Sequence, residues 1–201
     1  MRVKDGLIAP CGREAAVATV QIKDESRGRP GFPAQLAGFL IEKGLTMDEF
    51  HGRASARVDA TPRAVFDLIT DIGQLPVWNA AIEAVLEQPP ALAEGTEWRI
   101  RMHPPRTPSW LSVARVEELD RHRLRFAYES RNADGNPSYV KWAWAVGGAE
   151  RVAEVTVTWD AYLKTLDRKF LAGPLRKRQL AREVQRSLAA MASAVAAAEP
   201  G

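Results

Sequence analysis

Seven stretches between residues 51 and 159 alternate apolar and polar side chains, and this pattern constrains the fold more than any other feature of the sequence. The clearest of them sets Leu124, Phe126 and Tyr128 against charged neighbours. Alternate residues of a β-strand point to opposite faces, so each stretch predicts a strand that buries one face and exposes the other. Short segments rich in turn residues separate the stretches and predict antiparallel hairpin connections.

The same alternation predicts which side chains of each strand face inward. In six stretches the apolar parity is clear. The seventh, around residues 110–118, is ambiguous, because Leu111 and Val113 compete with Ala114 and Val116 for the inward side. The residues predicted to face inward in the other six are Ala54, Ala56, Val58, Ile82, Ala84, Leu86, Trp98, Ile100, Met102, Leu124, Phe126, Tyr128, Val140, Trp142, Trp144, Val146, Ala153, Val155, Val157 and Trp159.

A first helix is predicted directly after the first strand. Thr61 is a good N-cap, and Pro62 suits the first helical position, where a missing N–H costs nothing. The segment LPVWN that follows predicts a second short helical turn. The buried stripe of the first helix comprises Val65, Phe66 and Ile69.

A long helix is predicted from about Pro174 to Ala198. Its apolar residues recur at steps of three and four, which gives one buried stripe, and a parallel stripe of arginines is predicted to face solvent. A seven-stranded sheet must twist and curl, so this helix is expected to cover its concave face in an α+β fold. The apolar stripe comprises Leu180, Val184, Leu188, Met191 and Val195, and the basic stripe comprises Arg178, Arg182 and Arg186.

Composition and charge exclude several classes of protein. Cys11 is the only cysteine, so the chain can form neither an internal disulfide nor a thiolate metal cluster. No apolar run reaches the roughly 18 residues that span a bilayer, and we expect a cytoplasmic protein without an integral membrane segment. The net charge of +3 comes from residues 163–201, whereas residues 49–162 are net negative, so a nucleic-acid partner is not expected.

Residues 1–47 show no sustained period and are predicted to be an N-terminal extension, in front of a domain that spans residues 48–198. Three alternatives stay open for this extension. It is disordered, or it is the product of a misplaced start with Met47 as the natural first residue, or it is an arm that packs on the domain. A short alternating stretch within it, AAVATVQI, is compatible with a strand.

The first predicted helix and its flanks, DATPRAVFDLITDIGQLPVWN, resemble the opening helix motif of a known family. The chain resembles the START-related, birch-pollen-allergen-like superfamily, SRPBCC, and within it the polyketide cyclase/dehydrase and lipid-transport group. The resemblance covers about residues 50–196 and includes the seven strands and the closing helix. It implies a helix-grip fold, in which a seven-stranded curved antiparallel sheet wraps around the long C-terminal helix. The positions that match the motif are Pro62, Val65, Phe66, Asp71 and Trp78.

The family implies a cavity between sheet and helix that commonly takes hydrophobic small molecules, whereas the pattern alone favours a filled core without a cavity. We expect a pocket of roughly 300–1,000 Å³. In the clear runs no charged residue falls on the inward face, so the polar groups available are the Tyr128 hydroxyl, the indole N–H groups and the hydroxyls of Ser112, Ser130 and Ser138. The predicted ligand-binding residues are Trp98, Ile100, Met102, Phe126, Tyr128, Trp142, Trp144, Val184 and Leu188.

Candidate catalytic residues are harder to find in the sequence. Three histidines, His51, His103 and His122, are predicted to lie on the surface and lack a metal-ligand spacing, and no cofactor motif is present. Asp71 and Asp160 are predicted to be caps or solvated ends near the rim. Some members of the family are aromatase/cyclases, and Tyr128 with Arg106 or Arg115 from the mouth could imitate their chemistry.

Three functions therefore stay open. The first is binding or carriage of a lipid-like, polyketide or aromatic small molecule. The second is an aromatase/cyclase-type enzyme that acts on a polyketide-like substrate. The third is a protein-interaction module, for which the sequence offers no specific support beyond the basic helix face.

Overall fold

A computed structural model describes residues 20–22, 49–105, 107–165 and 173–198 of the chain. Within them, one antiparallel sheet curls around a long C-terminal helix, and this confirms the predicted α+β helix-grip fold. The strands are β1 (Val20–Ile22), β2 (Glu49–Val58), β3 (Ile82–Glu87), β4 (Glu97–Met102), β5 (Trp110–Asp120), β6 (Arg125–Asn132), β7 (Tyr139–Ala149) and β8 (Val152–Tyr162). Their spatial order is β1-β2-β8-β7-β6-β5-β4-β3, so β2 to β8 are the seven predicted strands.

Two short helices connect β2 to β3 and cover part of the sheet. Helix α1 spans Pro62–Thr70, and the Thr61 side chain accepts a hydrogen bond from the Ala64 N–H, which confirms the predicted cap. A single 3₁₀ turn, Ile72–Gln74, follows, and the Asp71 carboxylate caps it at the Gly73 N–H. Helix α2, Leu75–Trp78, is the predicted second helical turn.

Helix α3 spans Gly173–Ala198 and closes the fold. All five residues of the predicted apolar stripe are buried, and the three arginines of the basic stripe are exposed, as expected. The helix contacts β2, α1 and α2. At about 1.5 Å per residue, its 26 residues extend over roughly 39 Å, long enough to run from one end of the sheet to the other.

The predicted parity holds in β2, β4, β7 and β8 and in the strand portion of β6, but not in β3. Leu86 was expected inside and is 44% exposed, whereas Val85 packs against the core. The reason is an irregular register with β4, which shifts between Ile82 and Ala84 and again between Val85 and Glu87. Each shift changes the face to which the following side chains point.

The structure also resolves the ambiguity in β5. Ala114 and Val116 are buried, whereas Leu111 is 48% exposed. The register with β4 explains this choice, because Ala114 lies opposite Trp98, which is itself buried.

The described part of the N-terminal extension is the short strand β1. Val20 pairs with Ala56 and Ile22 with Ala54, antiparallel to β2 at the edge of the sheet. These three residues belong to the alternating stretch that was compatible with a strand. Met47 and the rest of the extension lie outside the described residues, and the division of the chain at residue 48 stays a prediction. No helix of the described residues is long and apolar enough to cross a membrane.

Candidate ligand-binding cavity

A cavity of about 140 Å³ lies between the first half of α3 and one end of the sheet, and it is partly open to solvent. This is the end at which β4, β6 and β8 finish and β2, β5 and β7 begin. The volume is below the 300 Å³ that we expected as a minimum. Large aromatic side chains account for the difference, because Trp110, Tyr128, Trp142 and Trp144 line the wall and occupy much of the space between the two layers.

These aromatic side chains form a continuous wall. The rings of Tyr128 and Trp142 are stacked, with centroids 6.2 Å apart and planes inclined by 22°. Trp144 meets Trp78 edge to face at 5.5 Å. Such a wall offers flat apolar surface together with indole and phenol groups that can form hydrogen bonds.

Six of the nine predicted ligand-binding residues line the cavity. The other three, Trp98, Phe126 and Leu188, do not line the cavity and are buried deeper in the interior, where the rings of Trp98 and Phe126 lie 5.3 and 5.4 Å from that of Tyr128. Strand parity and helical spacing assigned all nine to the correct face, but they carry no information about position along the strands or the helix. Contact of the six with a ligand stays a prediction; they are Ile100, Met102, Tyr128, Trp142, Trp144 and Val184.

The three serines named from the sequence all line the cavity. Ser112 donates its hydroxyl to the Arg131 carbonyl at 2.8 Å, and Ser130 accepts the Trp142 indole N–H at 3.1 Å. Ser138 accepts the Lys164 backbone N–H at 3.0 Å. These bonds hold the hydroxyls in place at the polar edge of an otherwise apolar wall.

Tyr128 is the phenol of this wall and is 9% exposed. Burial raises the pKa of Tyr128 well above that of a free phenol, and a hydrogen bond with the Trp144 side chain lowers it by a smaller amount. The hydroxyl therefore stays protonated at neutral pH, so Tyr128 can donate or accept a hydrogen bond but does not act as a base.

The expectation of an interior without charged groups is wrong. Glu183, the residue before Val184, is 3% exposed and lines the cavity, and so does Arg176, whose side chain is 28% exposed. Arg176 Nη1 lies 2.8 Å from Oε1 and 2.9 Å from Oε2 of Glu183. Burial raises the pKa of Glu183 above its usual range, while the charge and the hydrogen bonds of Arg176 oppose that shift.

Helical spacing could have revealed this pair. Residues 176, 180, 183, 184 and 187 share one face of α3, so the two charged residues flank the apolar stripe that was predicted to face inward. Ser187 forms two hydrogen bonds next to this pair. Its hydroxyl donates to the Glu183 carbonyl at 2.9 Å and accepts from the Ala80 N–H at 3.0 Å. The loop after α2 is thereby joined to the helical turn that carries Glu183.

Of the two arginines proposed from the sequence for the mouth, Arg115 is not at the cavity. Arg115 is exposed, and its neighbours Ala114 and Val116 are buried, so its side chain lies on the outer face of the sheet. Arg106 lies outside the described residues. The arginines that do line the cavity are Arg131 and Arg176.

The remaining candidates lie on the surface, as predicted. All three histidines are exposed; His51 lies 3.7 Å from Asp160, and His103 lies 4.0 Å from Glu83. Asp71 is occupied as a cap. The described residues contain no cluster of three or more histidine, cysteine or acidic side chains that could hold a metal ion.

The sequence profile described as polyketide cyclase/dehydrase and lipid transport matches residues 49–196. This range contains β2 to β8, the short helices, the cavity and nearly all of α3. A search of curated proteins finds no match to the sequence.

Solved structures share the fold at low sequence identity. A Chromobacterium violaceum protein is 20% identical, with a TM-score of 0.58 over 77% of this chain and 99% of its own. The aromatase/cyclase Zhui from a Streptomyces species is 16% identical, with a TM-score of 0.59 over 73% and 93%. A START superfamily protein from Mycobacterium smegmatis is 14% identical, with a TM-score of 0.60 over 74% and 99%.

Proposed function

Because the chain belongs to the polyketide cyclase/dehydrase and lipid transport family, we propose that it binds a small hydrophobic molecule, with an aromatic ring, in the cavity between the sheet and α3. The observation that carries this proposal is the aromatic wall at the open end of the interior, edged by serine hydroxyls. Ligand sites of this kind combine mostly apolar surface with a few fixed polar groups that orient the ligand.

The size of the cavity restricts the ligand. An apolar cavity of about 150 Å³ holds one benzene ring. The volume of about 140 Å³ found here therefore matches one ring, with any larger part of the ligand extending through the open side. The stacked Tyr128 and Trp142 favour a flat ring over a branched aliphatic group.

Native mass spectrometry of protein purified gently from its own cells is the direct test. A bound ligand adds its mass to that of the 22.2 kDa chain, and the adduct is lost when the protein is unfolded. An aromatic or lipid-like adduct supports the proposal. An adduct that is polar and non-aromatic, such as a sugar phosphate, contradicts it.

A second test uses toluene and the six tryptophan indole N–H signals in ¹H–¹⁵N NMR spectra. The signals of Trp142 and Trp144, which line the cavity, are expected to move most on titration, and that of Trp98, which lies behind Tyr128, is expected to move less. If toluene moves none of the six signals, the proposal fails.

A matched pair of variants locates the toluene site. Ala161 is 1% exposed and lines the cavity, so Ala161→Leu places a larger side chain in the ligand's space and should abolish the signal changes. Ala143, on the outer face of the adjacent strand, is exposed, so Ala143→Leu should bind toluene like the wild type. Equal binding by both variants would place the site elsewhere.

A second candidate function, catalysis of an aromatase/cyclase type, is favoured by one specific observation. The cavity holds a carboxyl group, Glu183, whose pKa is raised, together with Arg176 and the protonated phenol of Tyr128. A carboxyl group with a raised pKa is a candidate general acid or base, and the other two groups can hold a developing oxyanion.

Turnover of a linear poly-β-ketone by purified protein tests this second candidate. If Tyr128 stabilises the transition state, Tyr128→Phe should reduce kcat by about 10²-fold or more while KM changes little. Unchanged kcat in this variant would remove Tyr128 from the reaction. Leu111→Ala, on the outer face of β5, is the control and should retain full turnover.

A further inference from the structure

The buried ion pair of Arg176 and Glu183 is an unusual feature for the wall of an apolar cavity. Its two N–O distances, 2.8 and 2.9 Å, join one guanidinium nitrogen to both carboxylate oxygens. The Arg176 guanidinium also lies 5.7 Å from the centroid of the Trp110 ring, another wall residue. Burial of a charged group is costly unless polar groups satisfy it, and Glu183, whose side chain is 4% exposed, is met by Arg176 and by a hydrogen bond from Gln179.

The two groups still have capacity for hydrogen bonds. A guanidinium has five N–H donors, and the contacts with Glu183 use a single nitrogen. A carboxylate has about four acceptor sites, and Glu183 accepts from Arg176 and from the Gln179 side chain, which leaves part of its capacity unused. The pair thus presents donors and acceptors side by side to the cavity, with no net charge.

This arrangement distinguishes between ligand head groups. A neutral hydroxyl accepts a bond from Arg176 and donates one to Glu183 at the same time, so it satisfies both. A carboxylate is attracted by Arg176 but repelled by Glu183 and must also lose its hydration shell on entry. A hydrocarbon satisfies neither group.

On the basis of the function proposed above, we propose that the Arg176–Glu183 pair is a specificity element, which admits aromatic ligands that carry a neutral hydroxyl and rejects those that carry a carboxylate. Glu183 is the residue that excludes anions, because it neutralises the cation that would otherwise attract them. Arg131, the other arginine of the cavity wall, does not replace Arg176 in this role, since its side chain is 56% exposed and lies 3.7 Å from Glu97.

Three probes with the same methylphenyl ring test this proposal: toluene, 4-methylphenol and 4-methylbenzoate, which differ only in the group para to the methyl. Their binding is followed at pH 7 through the indole N–H signals of the wild-type protein. We expect 4-methylphenol to bind at least about tenfold more tightly than 4-methylbenzoate, the difference that one hydrogen-bonded group typically makes. Equal affinities for these two probes would overturn the proposal.

Glu183→Gln then tests the origin of the selectivity. Removal of the carboxylate leaves Arg176 without its counter-charge, so the affinity for 4-methylbenzoate should rise about tenfold, while that for toluene stays unchanged. Glu117→Gln is the matched control, because it removes the same charge from an exposed glutamate paired with Lys141 on the outer face. A similar rise in both variants would indicate general electrostatic attraction and contradict a specific role for Glu183.

Arg176→Gln provides a second variant in case Glu183→Gln fails to fold. It removes the cation that attracts an anion, so binding of 4-methylbenzoate should fall further while toluene still binds. Toluene also separates the two proposals. If toluene binds but the selectivity is absent, only the specificity element is refuted, whereas if none of the three probes binds, the ligand-binding function itself is refuted.

Discussion

The interior of this protein has two halves that share one sheet and one helix but differ in chemistry. The closed half contains Trp98, Phe126 and Leu188 and is filled with apolar side chains. The open half surrounds the cavity and contains Tyr128, Trp142, Arg176 and Glu183 together with serine hydroxyls. Both halves are built from the same strands, so the difference lies in the side chains and not in the fold.

This contrast shows where function can be placed in a helix-grip fold. The closed half supplies the burial that stabilises the domain, since side chains such as Phe66 and Leu188 are fully buried. The open half tolerates a void, an ion pair and partly exposed aromatic rings. The comparison therefore predicts that equivalent substitutions have large effects on stability in the closed half and smaller effects in the open half.

Truncation of Phe126 should have the largest effect. Phe126 is 1% exposed and packs against Trp98 and Tyr128, with ring centroids 6.3 and 5.4 Å away. Phe126→Ala should lower the free energy of unfolding by about 3–5 kcal/mol in urea denaturation. Trp142→Ala removes a larger side chain but should cost less, because Trp142 is partly exposed beside the cavity.

The control for this comparison is Leu111→Ala on the outer face, which should change the free energy of unfolding by no more than about 0.5 kcal/mol. If Trp142→Ala proved as destabilising as Phe126→Ala, the two halves would be packed alike and the distinction would fail.

The second-largest effect on stability is expected at Gly52, which lies opposite Trp159 in the β2–β8 pair. A Cβ at this position would overlap the Trp159 ring, which is 3% exposed and lies against the glycine backbone. Gly52→Ala should therefore cost about 1–3 kcal/mol, since the ring has to move within a packed region. The measurement is urea denaturation, together with the near-ultraviolet circular dichroism of the tryptophans.

Gly147→Ala is the matched control in β7. A Cβ at Gly147 meets no atom within 4 Å, so this variant should be neutral or slightly stabilising. Equal destabilisation by the two alanines would mean that strand conformation, and not the Trp159 ring, accounts for the effect of Gly52→Ala.

The closed half was also the more predictable half from sequence. Strict alternation identified the buried faces of β2, β4, β7 and β8, and steps of three and four identified the buried stripe of α3. The failure at Leu86 has a physical cause, because the register shifts in β3 depend on its pairing with β4 and leave no local signal. In β5, the choice between Leu111 and Ala114 was settled by register with a neighbouring strand.

The open half was predictable in its aromatic and hydroxyl residues but not in its charges. Tyr128, Trp142 and the three serines follow from parity, whereas the burial of Glu183 depends on Arg176 seven residues earlier on the same helical face. A prediction of buried positions that uses only the spacing of apolar residues does not detect a buried charged pair. The size of the cavity was overestimated, because parity shows where aromatic side chains point but not how much space they fill.

Glu183 gives the third prediction, a difference in pH dependence. Because its pKa is raised in the folded protein, the folded state holds a proton that the unfolded chain releases above the usual carboxyl pKa of 4.5. The stability that the neutral Glu183 contributes is therefore complete below pH 4.5 and is lost as the pH rises through the folded pKa. The free energy of unfolding of the wild type relative to Glu183→Gln should accordingly decrease from pH 4 towards pH 8.

The control for this pH experiment is a variant of a carboxylate outside the cavity. Glu154, with 63% of its side chain exposed and Arg57 3.7 Å away, serves this purpose, and an equal decrease with pH for Glu154→Gln would contradict an origin in the cavity. If the free energy of unfolding of the wild type relative to Glu183→Gln rose with pH instead, Arg176 would outweigh burial, and the pKa of Glu183 would be lowered and not raised.

The smallest effect is expected for the hydrogen bond between Ser130 and Trp142. Ser130→Ala removes the acceptor of the Trp142 indole N–H, now 3.1 Å away, but water can reach this partly exposed group, so the cost should be below about 1 kcal/mol. The Trp142 indole signal should nevertheless move in ¹H–¹⁵N spectra. Ser193→Ala, at an exposed position of α3, is the control and should leave that signal unchanged.

The Trp98 indole, in the closed half, completes this comparison. Its N–H group is buried without a hydrogen-bond partner among the described residues, so this indole contributes through packing and not through polar contacts. Ser130→Ala should leave its signal in place, because the open half adjusts to the loss without changing the packing of the closed half. A loss of stability comparable to that of Phe126→Ala, with the Trp98 and Trp142 indole signals moving together, would mean that the cavity wall and the core form a single rigid unit.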